Sequence, residues 1–235
     1  MQAVILAGGL GTRLRPLTEQ IPKVMVPVNG KPFLEYQLRL LGENGIRDIV
    51  LCTGYLEEQI EDYFGNGGNI RLTIRYSREE NKLLGTGGAL KQAQTLLDDH
   101  FFVINGDTYP PLDYRELEES FIKSNNKAVM VVYDNKEDTD VKNNVELDRN
   151  LMIARYDKER LDPQLKYVES GVLILKREVL DIIPAGYPVS LGKGLYPVLI
   201  QQKELAAYIT DHRFYDIGRP EQLKVFAEFL ERGQR

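Results

Sequence analysis

The chain has 235 residues and a formal net charge of −5, which arises from 35 acidic and 30 basic residues spread along its length. Proteins that bind nucleic acid or a membrane surface normally carry a basic face, so this balance argues against both kinds of partner. A single cysteine, Cys52, excludes an intrachain disulfide, and two histidines are too few for a zinc site. The N-terminus shows no signal-peptide pattern and no segment approaches the roughly 20 apolar residues of a membrane span, so we expect a cytoplasmic protein.

The first half of the chain alternates strand and helix patterns. Short apolar runs closed by glycine or polar residues are typical of strands buried on both faces, and the segments between them have helical spacing. The segments are AVILA (3–7), RDIVLCT (47–53), IRLTIRY (70–76) and FFVIN (101–105) as strands, with PFLEYQLRLLGENG (32–45), LEEQIEDYF (56–64) and GALKQAQTLL (88–97) as helices. This rhythm favours parallel strands joined by right-handed crossovers, which predicts a doubly wound α/β sheet for residues 1 to about 125.

The second half has shorter and more mixed elements. The predicted strands are KAVMVVY (127–133), NNVEL (143–147), LMIARY (151–156), YVESGVLIL (167–175) and LAAYIT (205–210), and the predicted helices are REVLDII (177–183), LYPVLIQQ (195–202) and PEQLKVFAEFLERG (220–233). No linker rich in Pro, Ser or Gly separates the two halves. We therefore predict one domain over 1–235, whose mostly parallel sheet is extended by antiparallel strands.

The most informative segment is AGGLGTRLRP (7–16), a glycine-dense turn directly after the first strand. Two familiar phosphate-binding motifs do not fit it, because Leu14 occupies the third glycine position of G-x-G-x-x-G and no window supplies a P-loop. A dinucleotide-dependent oxidoreductase is therefore disfavoured. Glycines at 8, 9 and 11 still let the backbone approach an anion, and Arg13 matches phosphate oxygens bidentately. The turn predicts a polyphosphate site; the alternative is a tight turn with solvated arginines.

The segment LAGGLGTRLRPLT, followed by Pro22-Lys23, resembles the signature of the nucleoside-diphosphate-sugar pyrophosphorylases, that is, the sugar-1-phosphate nucleotidyltransferases. GKPFLEY, LGTGGAL, FFVINGDTY, YVESGVLIL and RFYDIG extend the resemblance along almost the whole chain. Within the family, the combination is most similar to the short heptose- or mannose-1-phosphate guanylyltransferases. The resemblance implies a Rossmann-like, glycosyltransferase-A-type sheet, with a nucleotide-binding half at about 1–125 and a sugar-binding half, including the C-terminal helix, at about 126–235.

The resemblance also implies a reaction, in which a nucleoside triphosphate, GTP before UTP, is condensed with a sugar 1-phosphate in the presence of Mg²⁺ and pyrophosphate is released. Such catalysis consists mostly of positioning and charge neutralisation, and it needs no protein nucleophile. Two alternatives stay open: a uridylyltransferase acting on an amino-sugar 1-phosphate such as MurNAc 1-phosphate, and a non-catalytic regulatory homologue. The implied partners are the two substrates, and the sequence leaves both monomer and homo-oligomer open.

Three residues have catalytic roles by this resemblance. Arg13 holds the triphosphate and the departing pyrophosphate, Lys23 reaches the α-phosphate or the sugar phosphate, and Asp107 binds Mg²⁺. Alone, the Asn-Gly dipeptide before Asp107 signals a β-hairpin, but the prolines of DTYPP disfavour a return strand and favour delivery of Asp107 into the ligand crevice. Asp216 in RFYDIG resembles the second metal-binding aspartate, and its alternative role is to cap the final helix.

The remaining expected contacts follow from the same resemblance. The nucleotide is expected to contact Leu6, Ala7, Gly8, Gly9, Gly11, Thr12, Glu80, Gly85, Thr86, Gly87 and Gly106. Glu80 is expected to help select the base. The sugar phosphate is expected to contact Asn144, Lys158, Glu169 and Gly171, with Lys158 at the phosphate and Glu169 at the sugar hydroxyls.

Overall fold

The computed structural model describes residues 1–79 and 82–233. The strands are, in chain order, β1 (Gln2–Leu6), β2 (Pro27–Val28), β3 (Lys31–Pro32), β4 (Asp48–Thr53), β5 (Thr73–Arg78), β6 (His100–Asn105), β7 (Thr108–Tyr109), β8 (Ala128–Tyr133), β9 (Val145–Leu147), β10 (Ile153–Tyr156), β11 (Val168–Lys176), β12 (Leu205–Thr210) and β13 (Tyr215–Asp216). The α-helices are α1 (Phe33–Glu43), α2 (Glu57–Phe64), α3 (Gly85–Ala93), α4 (Tyr114–Ser124), α5 (Tyr196–Gln201) and α6 (Pro220–Gly233).

Seven of these strands form one sheet, in the order β12-β8-β11-β6-β1-β4-β5. β1 pairs in parallel with β4 and β6, β4 with β5, and β8 with β12, whereas β11 runs antiparallel to both of its neighbours. The prediction of a doubly wound, mostly parallel α/β sheet is confirmed. The antiparallel part of this sheet is β11, which lies between β6 and β8 and joins the strands of the second half to those of the first. Across the described part of the chain, the other antiparallel strand pairs are short and lie outside this sheet: β2–β3, β7–β13 and β9–β10.

Helices cover both faces of the sheet. Neighbouring residues of a strand point to opposite sides, so an apolar strand buries side chains under the helices on each face. Ala3 and Ile5 of β1 belong to a core shared with α1, α2 and α4, while Val4 belongs to a core shared with α3 and α5. All three side chains are completely buried. This double cover explains why the first strand is a continuous apolar run.

The C-terminal helix packs against the first helix of the chain. Phe226 of α6 meets Phe33 of α1 edge to face, with ring centroids 5.1 Å apart. Val28 and Ile217 complete this cluster. The packing holds the segment just after β13 against the body of the protein, and β13 carries one of the two predicted metal ligands.

Two predicted elements differ from the expectation. REVLDII forms a 3₁₀ helix (Arg177–Ile182), because Ile183 precedes a proline and is therefore extended. IRLTIRY becomes a strand only from Thr73, since Arg71 has a left-handed backbone. A single turn of π-helix (Leu191–Leu195) precedes α5. Within residues 1–79 and 82–233, no helix combines the length and the apolar character needed to cross a bilayer.

Candidate active site

A cavity of about 290 Å³ opens at the carboxyl ends of β1, β4 and β6, where the strand order continues in opposite directions from β1. Open α/β sheets bind their ligands at this kind of switch point. The cavity is lined by Leu6, Ala7, Gly8, Gly9, Lys23, Val24, Cys52, Glu79, Leu83, Gly85, Thr86, Ala89, Asn105, Gly106 and Asp107. It therefore joins the glycine turn after β1 to the aspartate after β6.

Glycine is required at position 106 of the cavity wall, because a β-carbon there would collide with the carbonyl oxygen of Leu6. A β-carbon on Gly8 would lie 2.6 Å from Glu79 Oε2, so a larger residue there would displace the Glu79 carboxylate. The ends of β1 and β6 are thus drawn together, and the backbone forms the floor of the cavity.

Asp107 is carried by a segment that leaves the sheet and does not turn back along β6. β7 pairs with β13, with Thr108 opposite Asp216, so the hairpin that the Asn-Gly dipeptide suggests does not form. Lys23 Nζ donates a hydrogen bond to Asp107 Oδ2 at 2.5 Å, and the Lys23 side chain is only 11% exposed. The structure therefore brings two of the predicted catalytic residues into direct contact.

The pairing of β7 with β13 places the two predicted metal ligands close together. Ile217 N–H donates to the Asp107 carbonyl oxygen at 2.9 Å, and Gly218 N–H donates to Asp216 Oδ1. Gly218 lies two residues before α6 begins, so this contact is a local turn and does not cap the helix. Burial and the negative charge of Asp107 raise the pKa of Asp216 to about 6.

The charges of the neighbouring cations act in the opposite direction on Asp107. Burial would raise the pKa of this carboxyl, but the Lys23 ammonium and the Arg13 guanidinium outweigh burial and hold the pKa below its usual value. Arg13 also lies against the loop after β13, since a β-carbon on Gly218 would sit 3.0 Å from Arg13 Nη2. The site therefore brings together the carboxylates of Asp107 and Asp216, the Lys23 ammonium and the Arg13 guanidinium.

The pair of aspartates suits a divalent cation. Two neighbouring, mostly buried carboxylates repel each other, and a cation bound to both would offset that repulsion. Mg²⁺ is typically held by one or two carboxylates, with substrate phosphates and water completing its shell. Among the described residues, no group of three or more His, Cys, Asp or Glu side chains is arranged to hold a metal ion without further ligands.

Most of the predicted nucleotide contacts border the cavity. These are Leu6, Ala7, Gly8, Gly9, Gly85, Thr86 and Gly106. Gly87 does not line it, because its N–H donates to the Val189 carbonyl oxygen at 2.8 Å. Gly11 and Thr12 lie just beyond the wall; Gly11 has φ of 62° and accepts a hydrogen bond from Thr18 Oγ1 at 2.8 Å. Glu80 is outside the described residues.

The predicted sugar contacts gather around the irregular part of β11. Glu169 is half-buried, and the strand shifts register between this residue and Leu173. Gly171 has φ of 78°, and a β-carbon there would lie 3.0 Å from both Asn105 Nδ2 and Thr108 Oγ1. The segment that carries Glu169 therefore presses on the strand end that leads to Asp107.

The other two predicted sugar residues differ in exposure. Lys158 is exposed, and its Nζ donates to Ser190 Oγ. Asn144 is completely buried, and its Oδ1 accepts a hydrogen bond from the Glu169 N–H at 2.9 Å. The Asn144 side chain thereby orients the backbone of Glu169, and its contact with a sugar stays a prediction.

Glu79 is a cavity residue that the sequence analysis missed. Its Oε1 accepts a hydrogen bond from the Leu84 N–H at 2.6 Å, and burial raises the pKa of its carboxyl. Glu79 directly precedes Glu80 in the sequence, and the family resemblance singled out Glu80 alone.

A model of the nucleotidyl transferase family matches residues 2–233 of the chain. Among curated proteins, the chain is 32% identical over 221 residues to the D-glycero-alpha-D-manno-heptose 1-phosphate guanylyltransferase of Campylobacter jejuni, covering 94% of this chain and 96% of that protein. It is 33% identical over 236 residues to the mannose-1-phosphate guanylyltransferase of Mycobacterium tuberculosis, covering 99% of this chain and 65% of the longer relative.

Solved structures agree with the match in sequence. The crystal structure of HddC from Yersinia pseudotuberculosis, complexed with GMP-PN, superposes on this chain with a TM-score of 0.81 at 30% sequence identity. The alignment covers 97% of this chain and 99% of that one. The similarity therefore extends over the sheet, the cavity and the segment that carries Asp216.

Proposed function

Because the chain belongs to the nucleotidyl transferase family, we propose that it condenses GTP with a heptose or mannose 1-phosphate, giving a GDP-sugar and pyrophosphate. An oxygen of the sugar phosphate attacks the α-phosphorus of GTP, and the bond from that phosphorus to the oxygen bridging to the β-phosphate breaks. The observation that carries the proposal is the convergence of Asp107, Asp216, Lys23 and Arg13 at one end of the sheet.

The roles of these four residues follow from their charges and places. Arg13 and the free N–H groups of the glycine turn bind the triphosphate and then the departing pyrophosphate. Lys23 lies 2.5 Å from Asp107, so a phosphate oxygen that enters beside Asp107 is within reach of its ammonium. Asp107 and Asp216 would hold Mg²⁺, which when bound supplies positive charge against the crowded phosphate oxygens.

We assign the sugar 1-phosphate to the side of β11. Glu169 accepts sugar hydroxyls, Gly171 lets the backbone of β11 approach β6, and the exposed Lys158 binds the phosphate. The strands on this side come from the second half of the chain and continue the same sheet. We therefore treat 1–235 as one catalytic domain with a nucleotide half and a sugar half.

The function is tested by combining each of the four nucleoside triphosphates with several sugar 1-phosphates and measuring pyrophosphate release. We expect the fastest release with GTP and a mannose-type sugar, loss of activity with EDTA, and recovery on addition of Mg²⁺. Preference for UTP with an amino-sugar 1-phosphate would favour the uridylyltransferase alternative. No release with any pair would contradict the proposed enzyme and favour a non-catalytic homologue.

The cavity offers a reason for the choice of guanine. Guanine presents two adjacent donors, N1–H and the N2 amino group, which one carboxylate accepts together, whereas uracil presents a single N–H between two carbonyl oxygens. We propose that Glu79, as an ionised carboxylate in the cavity wall, accepts the guanine edge and repels the carbonyls of uracil. The base contact expected of Glu80 stays a prediction, since Glu80 lies outside the described residues.

Replacing Glu79 by Gln should lower kcat/KM for GTP by about 10-fold or more, the scale of one bidentate contact to a base. The same change should leave kcat/KM for UTP unchanged or raise it, because an amide no longer repels the uracil oxygens. Steady-state kinetics with both nucleotides measure this ratio. Glu58→Gln, a matched change at an exposed glutamate of α2, should leave the ratio as in the wild type.

The pH dependence of KM for GTP tests the role of Glu79 in a second way. Only the ionised carboxylate accepts both donors, and burial raises the pKa of Glu79. KM for GTP should therefore rise as the pH falls, beginning at a higher pH than an ordinary glutamate would give. In Glu79→Gln, KM for GTP should be high at every pH and should not rise further in acid. If Glu79→Gln keeps both the wild-type ratio of kcat/KM for GTP to that for UTP and the wild-type rise of KM in acid, Glu79 does not recognise the base.

A further inference from the structure

Two tyrosines from different elements converge on the carboxylate of Glu169. Tyr156 of β10 donates its hydroxyl to Oε2 at 2.8 Å, and Tyr196 of α5 donates its hydroxyl to Oε1 at 3.0 Å. The backbone N–H of Glu169 is held by Asn144 at 2.9 Å. Each oxygen of the carboxylate thus has its own donor, and the main chain behind it is fixed as well.

The two rings support each other. They meet edge to face, with centroids 4.9 Å apart and an interplanar angle of 88°, and Tyr196 is only 2% exposed. Burial and the neighbouring charge of Glu169 raise the pKa of both phenols, so both hydroxyls stay protonated donors at any working pH. A tyrosine hydroxyl has one proton to donate, and each of these two hydroxyls donates it to Glu169.

Stability alone does not explain this arrangement. Glu169 forms no ion pair with any described residue, so a half-buried negative charge is balanced only by hydrogen bonds from neutral groups. An apolar side chain of similar size would avoid the desolvation cost of the carboxylate. A carboxylate has about four acceptor positions, and the tyrosines use two of them.

The π-helical turn before α5 completes the arrangement. A β-carbon on Gly192 would lie 2.9 Å from Tyr156 Cε1 and 3.2 Å from its hydroxyl oxygen. The same β-carbon would lie 3.2 Å from Lys158 Cδ. Any larger residue at 192 would therefore push Tyr156 away from Glu169. The backbone of Gly192 is not left-handed, so alanine is excluded there by contact with Tyr156 and not by its own conformation.

From these contacts we infer that Tyr156 and Tyr196 are positioning residues for the acceptor sugar. They hold both oxygens of Glu169 so that its remaining acceptor positions meet two neighbouring hydroxyls of a pyranose 1-phosphate. Gly192 provides the space in which Tyr156 does this. The inference rests on the proposed function and deepens it, because it adds two tyrosines and a glycine to the determinants of sugar affinity.

The test measures KM for mannose 1-phosphate and for GTP separately in Tyr156→Phe and Tyr196→Phe. Phenylalanine keeps the ring contact and removes only the hydroxyl. Each variant should raise KM for mannose 1-phosphate about 10-fold, the scale of one hydrogen bond to a charged group, with KM for GTP unchanged. In a Glu169→Gln background, the same tyrosine changes should have little further effect, because the charge that they position is gone.

Two further variants make the result decisive. Gly192→Ala should reproduce the effect of Tyr156→Phe without removing any hydroxyl. Tyr76→Phe on β5 loses a comparable hydroxyl contact, to the Gly65 carbonyl oxygen at 2.7 Å, and should leave both KM values unchanged. An active Tyr196→Phe or Tyr156→Phe with wild-type KM for mannose 1-phosphate would overturn the inference, as would equal losses for both substrates with a lowered melting temperature. A wild-type protein that releases no pyrophosphate with any sugar phosphate would instead overturn the proposed function, and the inference with it.

Discussion

Asp107→Asn is expected to lower kcat by at least ~100-fold, the scale of losing one group that stabilises charge in a transition state. The amide keeps the shape of the side chain but cannot neutralise a divalent cation as a carboxylate does. It also leaves Lys23 without the ion pair that holds its ammonium at 2.5 Å. Pyrophosphate release at saturating GTP and sugar 1-phosphate measures the loss.

The loss of rate must be separated from a loss of stability. Lys23 and Arg13 hold the pKa of Asp107 below its usual value, so the ionised carboxylate stabilises the fold, and the amide leaves the mostly buried Lys23 without its partner. The melting temperature of Asp107→Asn should therefore fall, and the rate is measured at a temperature at which the variant is fully folded. Asp62→Asn, at an exposed position of α2, is the matched control and should keep the wild-type rate. A rate near that of the control in Asp107→Asn would remove this residue from the site.

Arg13→Ala should lower kcat/KM by at least ~100-fold, because the triphosphate and the departing pyrophosphate lose a bidentate donor. Arg13 is exposed, so little packing is lost and the melting temperature should change little. Arg13→Lys should recover only part of the activity, since an ammonium keeps the charge but not the planar fork of donors. Steady-state kinetics with GTP and pyrophosphate inhibition measure both effects.

Arg15→Ala provides the matched control for this prediction. Arg15 is also exposed and lies two residues further along the same turn, so it adds a similar charge to the region. Its removal should leave kcat/KM close to the wild-type value if position, and not general positive charge, is what matters. An equal loss of kcat/KM in Arg13→Ala and Arg15→Ala would show that Arg13 contributes only general positive charge and no specific contact.

The sheet was predictable because it depends on strong local signals, whereas the meeting of Asp107 and Asp216 was expected only from the resemblance to a known family. Alternating apolar strands and helical segments define parallel pairing, and two prolines after Asp107 ruled out the hairpin that the Asn-Gly dipeptide suggests. The antiparallel course of β11 was predicted as an addition to the sheet, but its place between β6 and β8 was not. Strand order depends on packing between segments far apart in the chain, and the spacing of apolar residues along the sequence does not indicate it.

Side-chain direction and burial were the less predictable part of the site. The position of Glu79 in the cavity wall was not predicted, because no sequence pattern marks it as a cavity residue. The burial of Asn144 was not predicted, because a polar residue beside a short strand has the same sequence pattern whether it is exposed or buried. Tyr156 and Tyr196 resemble ordinary core aromatics, and only the three-dimensional structure brings both hydroxyls to Glu169.

The pairing of β7 with β13 has a consequence for how the protein is made. During translation, Asp107 leaves the ribosome long before Asp216, and the first strands of the sheet can assemble in that interval. Before the C-terminal segment emerges, Lys23 and Arg13 are already available as counter-charges for Asp107. A nascent chain without Asp216 therefore lacks one of the two proposed metal ligands. On the proposed function, it cannot catalyse the reaction until α6 has packed against α1.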